Sequence, residues 1–584
     1  MIPRRIPKPI LLAVVCSLVV AAAPAMGRTG LRITYPPPRS VTRFMQIRIA
    51  GSCDPASRVF IQDKAVKVYP TGAFVGLVPL IEGENAIEVI ARKGSEKERQ
   101  RLIVTCRDPL VSSPTSPLTI DAKMIEPAVD TVLCAGDKLQ VRIKGSPGMK
   151  AFWSLGDLVR NAPLKETAPA KGGLLKGIRG IYTGIYKVRT GDRVEKSRVR
   201  FTLSAGKGKE ASAFSPGFVT LVPKEEVSRG EVGMDGAVLR TGLDGERAWK
   251  LDPGTRVDIC GEAGDYYRLR LSKDERYWAE KKGIKSFKGK GGWGAVVVGE
   301  PSLGPTQGGA LLSVPLNGKA PYRVTQPDGK RLMALEFFGV APLRKKNKLK
   351  CAPLVTAVEF PRAEPGTLKI VLRLTGPAQW GYVCRWTSNG LGLQVKKSPG
   401  KKIGKITIVI DPGHGGTHSG AVSPTGLLEK DLNFTVARAA ADYLKAQGAS
   451  VVLTRNSDKK LSLADRIEKA RAERADIFVS IHHDSRPGRC DPLERRGAAS
   501  YYGIPHSRRL AERILKKLSK MGLKSNGCKR RDYAVVLPTD YPAVLVECAY
   551  MSHPKDEEWL LKKKFLTDLG QSIGKGIVEY VEKM

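Results

Sequence analysis

The chain has 584 residues, of which 42% are hydrophobic and 27% charged, and 98 Lys and Arg against 57 Asp and Glu give a formal net charge of +41. This length predicts several domains, and the hydrophobic fraction is that of folded domains and excludes a disordered chain. A charge of this size attracts anionic polymers, although a basic surface that serves only for solvation fits the same composition.

The first 27 residues resemble an export signal. Arg4, Arg5 and Lys8 precede an uncharged apolar run over residues 10–23, and small residues suited to a signal peptidase follow. A membrane anchor is the alternative, but the run is short for about 30 Å of hydrocarbon. We therefore expect cleavage, no stable membrane span afterwards, and a periplasmic or cell-wall location. Export argues against nucleic acid as a partner and favours anionic wall or envelope polymers.

Nine cysteines follow this predicted signal, and an oxidising compartment permits disulfides between them. Shared domain membership suggests three pairs, namely Cys53 with Cys106, Cys351 with Cys384, and Cys490 with Cys528. Because nine is odd, at least one thiol stays outside any intrachain pair. No CxxC motif occurs, which argues against a cysteine-based zinc site.

The chain from about residue 28 to residue 400 is predicted to be all-β. Short alternating apolar stretches recur there between Gly, Pro and Asp turn signals. The succession of strands over residues 66–89 is similar to bacterial immunoglobulin-like modules, and we expect one over residues 28–110. A second β module is expected over residues 118–208.

Two further β modules are expected before the last domain. Residues 215–287 resemble bacterial SH3-like modules, and a Gly-rich linker follows at residues 288–292. Residues 305–398 resemble the AMIN modules of cell-wall enzymes. Generic β spacers with no binding function remain the alternative for all four modules.

Residues 403–584 show a different pattern, which predicts an α/β domain. Segments at helical spacing separate four apolar strand runs, at residues 405–410, 450–454, 477–481 and 543–546. This alternation predicts a mostly parallel sheet that is covered on both faces.

Reactive side chains follow the carboxyl ends of these predicted strands. His414 follows the first strand, His482 the third and Glu547 the last, while Glu429 begins the first helix. Because the carboxyl ends of parallel strands meet at one rim, we expect these four side chains to converge.

Two imidazoles and one carboxylate form a ligand set for catalytic zinc that leaves one position open. His414, Glu429 and His482 are therefore the predicted metal ligands, and Glu547 has the chemistry of a general base. Each residue alone has an ordinary structural interpretation, such as a turn histidine or a carboxylate at a helix N-terminus. Only their joint position at strand ends favours a metal site.

Five motifs occur in the order of a known family, at residues 408–416 (IVIDPGHGG), 426–433 (GLLEKDLN), 453–455 (LTR), 479–482 (VSIH) and 542–547 (PAVLVE). Together they resemble the zinc-dependent N-acetylmuramoyl-L-alanine amidases of the AmiC or CwlV type. The resemblance implies that zinc binds at the three predicted ligands and that the glutamate of the last motif is catalytic. The implied reaction is hydrolysis of the amide between N-acetylmuramic acid and L-alanine in peptidoglycan.

His418 and His483 stand where the family usually has other residues, and we leave both out of the ligand set. Two alternative functions remain open at this point. One is a different zinc peptidase that acts on the stem peptides of the wall, and the other is a wall-binding protein without catalysis.

Overall fold

The computed structural model describes residues 29–168, 177–222, 227–243, 245–289, 291–327, 330–344, 348–375 and 380–583. The predicted export signal at residues 1–27 lies outside these ranges. Within them, no helix has both the length and the apolar character needed to cross a membrane. In the described residues before 429 the regular structure consists of strands and two short 3-10 helices, so the prediction of a strand-rich N-terminal region is confirmed.

The first β module consists of two sheets that enclose one core. Their orders are β1-β3-β6 and β2-β8-β7-β4-β5. Ile49 and Phe74 on one sheet pack against Ile87 and Val104 on the other. The strands are β1 (Arg32–Tyr35), β2 (Ser40–Thr42), β3 (Gln46–Ser52), β4 (Arg58–Ile61), β5 (Lys64–Val66), β6 (Ala73–Pro79), β7 (Gly83–Lys93) and β8 (Glu96–Cys106).

The second β module has its own core around Val141, Trp153 and Phe201. Its last strand runs across the boundary expected between residues 208 and 215, because it pairs along most of its length with the strand before it. The strands are β9 (Ile120–Glu126), β10 (Thr131–Cys134), β11 (Lys138–Gly145), β12 (Lys150–Leu155), β13 (Val159–Glu166), β14 (Ile181–Lys187), β15 (Val194–Gly206) and β16 (Lys209–Val222).

The third β module is hydrogen-bonded to the second through β10, which pairs with β16 on one side and with β20 on the other. Its separate core includes Leu239, Val257 and Leu269. The strands are β17 (Ser228–Val232), β18 (Ala237–Arg240), β19 (Arg247–Leu251), β20 (Arg256–Ala263), β21 (Tyr266–Arg270), β22 (Arg276–Glu280) and β23 (Ile284–Ser286), with a 3-10 helix at Lys281–Gly283.

The fourth β module consists of two four-stranded sheets around one core, with orders β24-β25-β31-β30 and β26-β27-β29-β28. The strands are β24 (Ser302–Thr306), β25 (Gly309–Pro315), β26 (Tyr322–Thr325), β27 (Leu332–Phe338), β28 (Val355–Glu359), β29 (Thr367–Leu374), β30 (Tyr382–Thr387) and β31 (Gly390–Lys396). Immediately before β30, Trp380 packs into the core of the next domain against Tyr580, at 5.4 Å between ring centroids.

The C-terminal domain is built on a six-stranded sheet of order β33-β32-β34-β37-β35-β36. The first four strands in this order are parallel, and β35 pairs antiparallel with β37. The prediction of a mostly parallel sheet is therefore confirmed. The strands are β32 (Thr407–Pro412), β33 (Ser450–Leu453), β34 (Ile477–Asp484), β35 (Ala498–Tyr502), β36 (Ser525–Arg530) and β37 (Ala543–Tyr550).

Helices cover both faces of this sheet. The alternation of β32 places Ile408 and Ile410 under α1, α3 and α5, whereas Val409 faces α2 on the opposite side. The helices are α1 (Glu429–Ala446), α2 (Leu463–Ala472), α3 (Arg508–Ser519), α4 (Pro554–Leu560) and α5 (Lys563–Glu582), with 3-10 helices at Ile403–Lys405, Pro492–Glu494, Pro505–Ser507 and Ala534–Val536.

The three expected disulfide pairings were wrong for this structure. All six of the cysteines concerned are thiols: Cys53, Cys106, Cys351, Cys384, Cys490 and Cys528. In the first module the two thiols face different backbone carbonyls, at Gly72 and at Phe44, although both belong to one core. Shared domain membership therefore does not bring two sulfur atoms together.

Candidate metal centre

The three predicted ligands meet at the carboxyl rim of the parallel sheet. His414 follows β32, His482 lies in the neighbouring strand β34, and Glu429 is the first residue of α1. One ligand atom from each residue lies within 4.8 Å of the others. Residues separated by up to 68 positions therefore converge because adjacent parallel strands end at the same edge.

Glu429 lies at the centre of this group. Its Oε1 atom is 3.1 Å from His414 Nε2 and 2.9 Å from His482 Nδ1. Burial alone raises the pKa of Glu429, but hydrogen bonds and charge from the two imidazoles outweigh it and hold that pKa well below its usual range. The carboxylate therefore stays ionised, as a metal ligand must.

The donor set fits a zinc ion. Zinc takes imidazole nitrogen and carboxylate oxygen at about 2.1 Å in a tetrahedral arrangement, which places neighbouring ligand atoms roughly 3.4 Å apart. The two measured separations from the Glu429 oxygen are close to this spacing. Two imidazoles and one carboxylate also leave the fourth position open for water or substrate.

Glu547 lies beside the metal group but outside it. It is the register partner of His482 across β34 and β37, and its Oε2 atom is buried without a hydrogen-bond partner among the described residues. Burial, followed by the charges of Asp484 and Glu429, raises the pKa of Glu547 well above its usual range. A buried carboxylate with an unpaired oxygen is costly, so its presence here favours a role towards a bound ligand.

Comparisons with known proteins identify the C-terminal domain. A family model described as N-acetylmuramoyl-L-alanine amidase matches residues 408–579. Probable cell wall amidase LytH of Staphylococcus saprophyticus is 34% identical over 204 residues, which are 34% of this chain and 67% of that protein. The chain belongs to the N-acetylmuramoyl-L-alanine amidase family. It is therefore an enzyme of the class that hydrolyses peptidoglycan amide bonds.

Two further relatives each match about a third of the chain. N-acetylmuramoyl-L-alanine amidase LytC of Bacillus subtilis is 37% identical over 179 residues, 30% of this chain and 35% of that protein. The catalytic domain of CwlV, an amidase from Bacillus (Paenibacillus) polymyxa var. colistinus, is 34% identical, and the match covers 30% of this chain and 98% of that chain with a TM-score of 0.29. The residues matched by the family model, 408–579, lie in the C-terminal domain, and the β modules precede them.

Two glycines of the amidase domain leave room for the ligands. A Cβ atom on Gly413 would lie 2.2 Å from the His482 ring, and one on Gly420 would lie 2.4 Å from Glu429 Oε2. His414 itself has a φ of 59°. This left-handed conformation costs a non-glycine residue about 1–3 kcal/mol, so neighbouring groups must stabilise it.

Two arginines stabilise the backbone around His414. Arg466 donates to the carbonyl oxygens of Pro412 (2.9 Å) and His414 (2.8 Å) and pairs with buried Asp411 at 2.5 Å. Arg455 donates to the carbonyl oxygens of Pro412 (3.1 Å) and Gly413 (3.2 Å). Sequence reasoning gave neither arginine a role. The available signal was Asp411, a carboxylate at the end of an apolar strand, which needs a buried cationic partner.

His483 contacts the ligand group indirectly, through Asn433. It is buried, burial lowers its pKa to about 4, and its Nδ1 lies 2.7 Å from Asn433 Oδ1. Asn433 in turn donates to Glu429 Oε1 at 3.3 Å. His418 is exposed and is not part of the ligand group.

Proposed function

We propose that this amidase hydrolyses the bond between N-acetylmuramic acid and L-alanine with a zinc ion held by His414, Glu429 and His482. A zinc ion in such a site supplies Lewis acidity, because it lowers the pKa of a coordinated water to about 7 and polarises the scissile carbonyl. The observation that supports the proposal is the convergence of the three ligand atoms at the rim of the sheet.

We assign the proton transfers to Glu547. Its unpaired Oε2 atom accepts a proton from the attacking water and returns it to the L-alanine nitrogen as the C–N bond breaks. Its strand neighbour His482 keeps the carboxylate next to the metal group through the β34–β37 register. General acid–base catalysis of this kind contributes about 10²- to 10⁴-fold to the rate.

The test is digestion of purified sacculi with product analysis. Glu547→Gln should retain zinc and lose about 10²- to 10⁴-fold in turnover, whereas His414→Ala should lose the metal. Glu468→Gln, on the exposed side of α2, is the matched control and should keep full activity. Release of intact stem peptides supports the amidase, and loss of terminal D-alanine alone would favour the other zinc peptidase. Full activity of Glu547→Gln would refute the assignment of the base.

The predicted export signal and the module types belong to the same proposal. We propose that the protein acts in the periplasm or at the cell wall, and that its immunoglobulin-like, SH3-like and AMIN-like modules retain it on peptidoglycan or on anionic envelope polymers. The net charge of +41 supports this proposal. Deletion of residues 2–27 should leave the protein in the cytoplasmic fraction, and an unchanged distribution would contradict the export signal.

A further inference from the structure

A basic cleft lies where the third β module, the fourth β module and the amidase domain meet. Its volume is about 820 Å³. Six exposed basic side chains line it, one of which is Arg471. The other five are contributed by β19, by β30, by the end of α2 and by the end of β36: Arg247, Lys250, Arg385, Arg474 and Arg530. Among the described residues, none of these five forms an ion pair with a carboxylate.

Few acidic groups offset this charge. Of the residues that line the cleft only Asp532 and Asp540 are acidic, and Asp540 lies 3.3 Å from Arg471. Unpaired positive charges within a concave surface focus the electrostatic potential and raise the local concentration of anions. The cleft is therefore suited to a polymer that carries several negative groups.

The walls of the cleft are held in place by direct contacts between the modules. Tyr382 N donates to Thr539 O at 2.7 Å, and Lys396 Nζ donates to Asp540 O at 2.6 Å. The stacking of Trp380 on Tyr580 is a further contact between the fourth β module and the amidase domain. A preformed cleft spares a ligand the cost of ordering the protein.

The cleft is separate from the metal centre. Ala475 lines the cleft at the start of β34, and the ligand His482 lies seven residues further along that strand. At about 3.3 Å per residue the two sites are roughly 20 Å apart. One long polymer can therefore occupy both sites, and the second contact then raises the effective concentration at the first.

We propose that this cleft binds the carboxylate-bearing peptidoglycan chain at a second, non-catalytic site while the amidase domain cleaves it. The proposal rests on the function proposed above, because it takes the substrate polymer as the shared ligand. Stem peptides provide carboxylates at regular intervals, which complements a row of unpaired arginine and lysine side chains.

The test compares two charge-matched variants of the full chain. Arg385→Glu with Arg474→Glu reverses two charges in the cleft, and Lys401→Glu with Lys402→Glu reverses two exposed charges elsewhere. We expect the cleft variant alone to raise KM for sacculi about tenfold, with kcat on a soluble muramyl peptide unchanged. The difference should shrink at high salt, because exposed charges are screened.

An equal rise in KM for sacculi in both variants would show that only net charge matters and would overturn the proposal. A loss on the soluble substrate would also overturn it, since the cleft would then affect catalysis itself. If soluble polyphosphate binds the wild type but not the cleft variant, while KM for sacculi is the same in both, the ligand is a phosphate polymer and the proposal is wrong. Wild type that cleaves neither substrate would contradict the proposed function instead.

A second, independent observation concerns the first β module, which contacts the amidase domain next to the metal centre. Arg48 N donates to Gly488 O at 2.6 Å, and Arg48 Nη1 donates to Arg486 O at 2.9 Å. On the other side of the site, Thr34 Oγ1 donates to the carbonyl oxygen of Pro424 at 3.2 Å, five residues before Glu429.

This contact is tightly packed. Arg48 is only 4% exposed and stacks on Tyr35, with its guanidinium carbon 4.5 Å from the ring centroid. A Cβ atom on Gly488 would lie 1.9 Å from the Tyr35 hydroxyl, so a larger residue here would force the Tyr35 ring or the loop to shift. Arg489 stacks on Phe44 at 4.3 Å, and Gln46 Nε2 donates to Arg489 O at 2.7 Å.

The contacted loop begins directly after Asp484, the last residue of the strand that carries His482. Asp484 accepts a hydrogen bond at its carbonyl oxygen from Met551 N (2.8 Å), and Arg486 N donates to Ser552 Oγ (3.0 Å). Arg48 therefore holds the outer side of the segment that follows Asp484, two residues after the predicted ligand His482 on the same strand.

We infer that Arg48 is a positioning residue for the amidase site and that the first β module is a fixed part of the enzyme. Displacement of a catalytic group by about 1 Å can cost about 10²-fold in rate. Arg48→Met in the full chain should therefore lower kcat on a soluble muramyl peptide about tenfold or more, with little change in KM or zinc content. Arg48→Lys should restore part of the activity because it keeps the charge and one donor.

Arg92→Met is the matched control, since Arg92 stacks on Phe60 at an exposed position of the same module. Gly488→Ala disturbs the same contact from the amidase side and should reproduce the loss of kcat even if Arg48→Met folds poorly. An unchanged kcat in Gly488→Ala, or an equal loss in Arg92→Met, would overturn the inference.

Discussion

Replacing Gly413 by alanine should separate the metal ligands without removing any of them. Gly413 is not in the left-handed region, so alanine can adopt its backbone conformation. The added Cβ atom, however, would lie 2.2 Å from both Cε1 and Nε2 of His482. Carbon atoms in contact need about 3.5 Å, so the ring or the loop must move by about 1 Å.

That displacement is large for a metal site, because metal–ligand distances tolerate only about 0.2 Å. Disturbing the orientation of a single ligand typically costs 10- to 100-fold in metal affinity. We expect Gly413→Ala to weaken zinc binding by about 100-fold, which corresponds to about 2.7 kcal/mol. The assay is competition between the full-length protein and a chromophoric zinc chelator, with circular dichroism to verify folding.

Gly404→Ala is the control in the same domain, since its nearest Cβ contact is an ordinary 3.4 Å, to Gly448 O. It should bind zinc as wild type does. A folded Gly413→Ala protein with wild-type zinc affinity would refute the geometric argument and remove His482 from the ligand set.

Three further predictions concern residues around the site. Arg466→Met should lower the free energy of unfolding of the amidase domain in urea by about 3–5 kcal/mol, because it leaves buried Asp411 without its cationic partner. Arg471→Met, at the exposed side of α2, should have little effect. Burial lowers the pKa of His506 from 6.5 to about 4, so the unfolded state binds more protons and stability should fall as the pH drops from about 6.5 towards 4. His506→Gln should flatten that part of the stability–pH profile, and an unchanged slope would contradict the assignment. His418→Ala should keep one zinc per chain in metal analysis, since His418 lies outside the ligand group; loss of the metal would show that the group is incomplete.

The elements of the amidase domain could be read from the sequence because their signals are local. The apolar runs of β32, β34 and β37 and the helical spacing of α1 follow from periods of two and about 3.6 residues. Adjacent parallel strands end at one rim, so residues after those strands converge wherever the sheet forms. This rule brought His414, Glu429 and His482 together before any coordinates were considered.

The limits of the β modules were harder to place. The strand β16 begins at Lys209, inside the stretch expected to separate two modules, and its place follows from pairing with β15 and β10. Strand pairing partners are set by contacts distant in the sequence, and turn residues alone do not mark where a sheet stops. The proposed disulfides failed for the same reason, because cysteine positions carry no distance information.

The sequence by itself determined that an α/β domain carries two histidines and one glutamate at strand ends and a second glutamate at a helix start, since strand and helix periodicity are properties of the local chain. Only the tertiary structure decided what holds these residues in place. Arg466 reaches the His414 loop from another helix, and Arg48 reaches the loop after Asp484 from another module. Long side chains that bind distant carbonyl oxygens leave no periodic pattern, because their partners are chosen by how the packed domains meet.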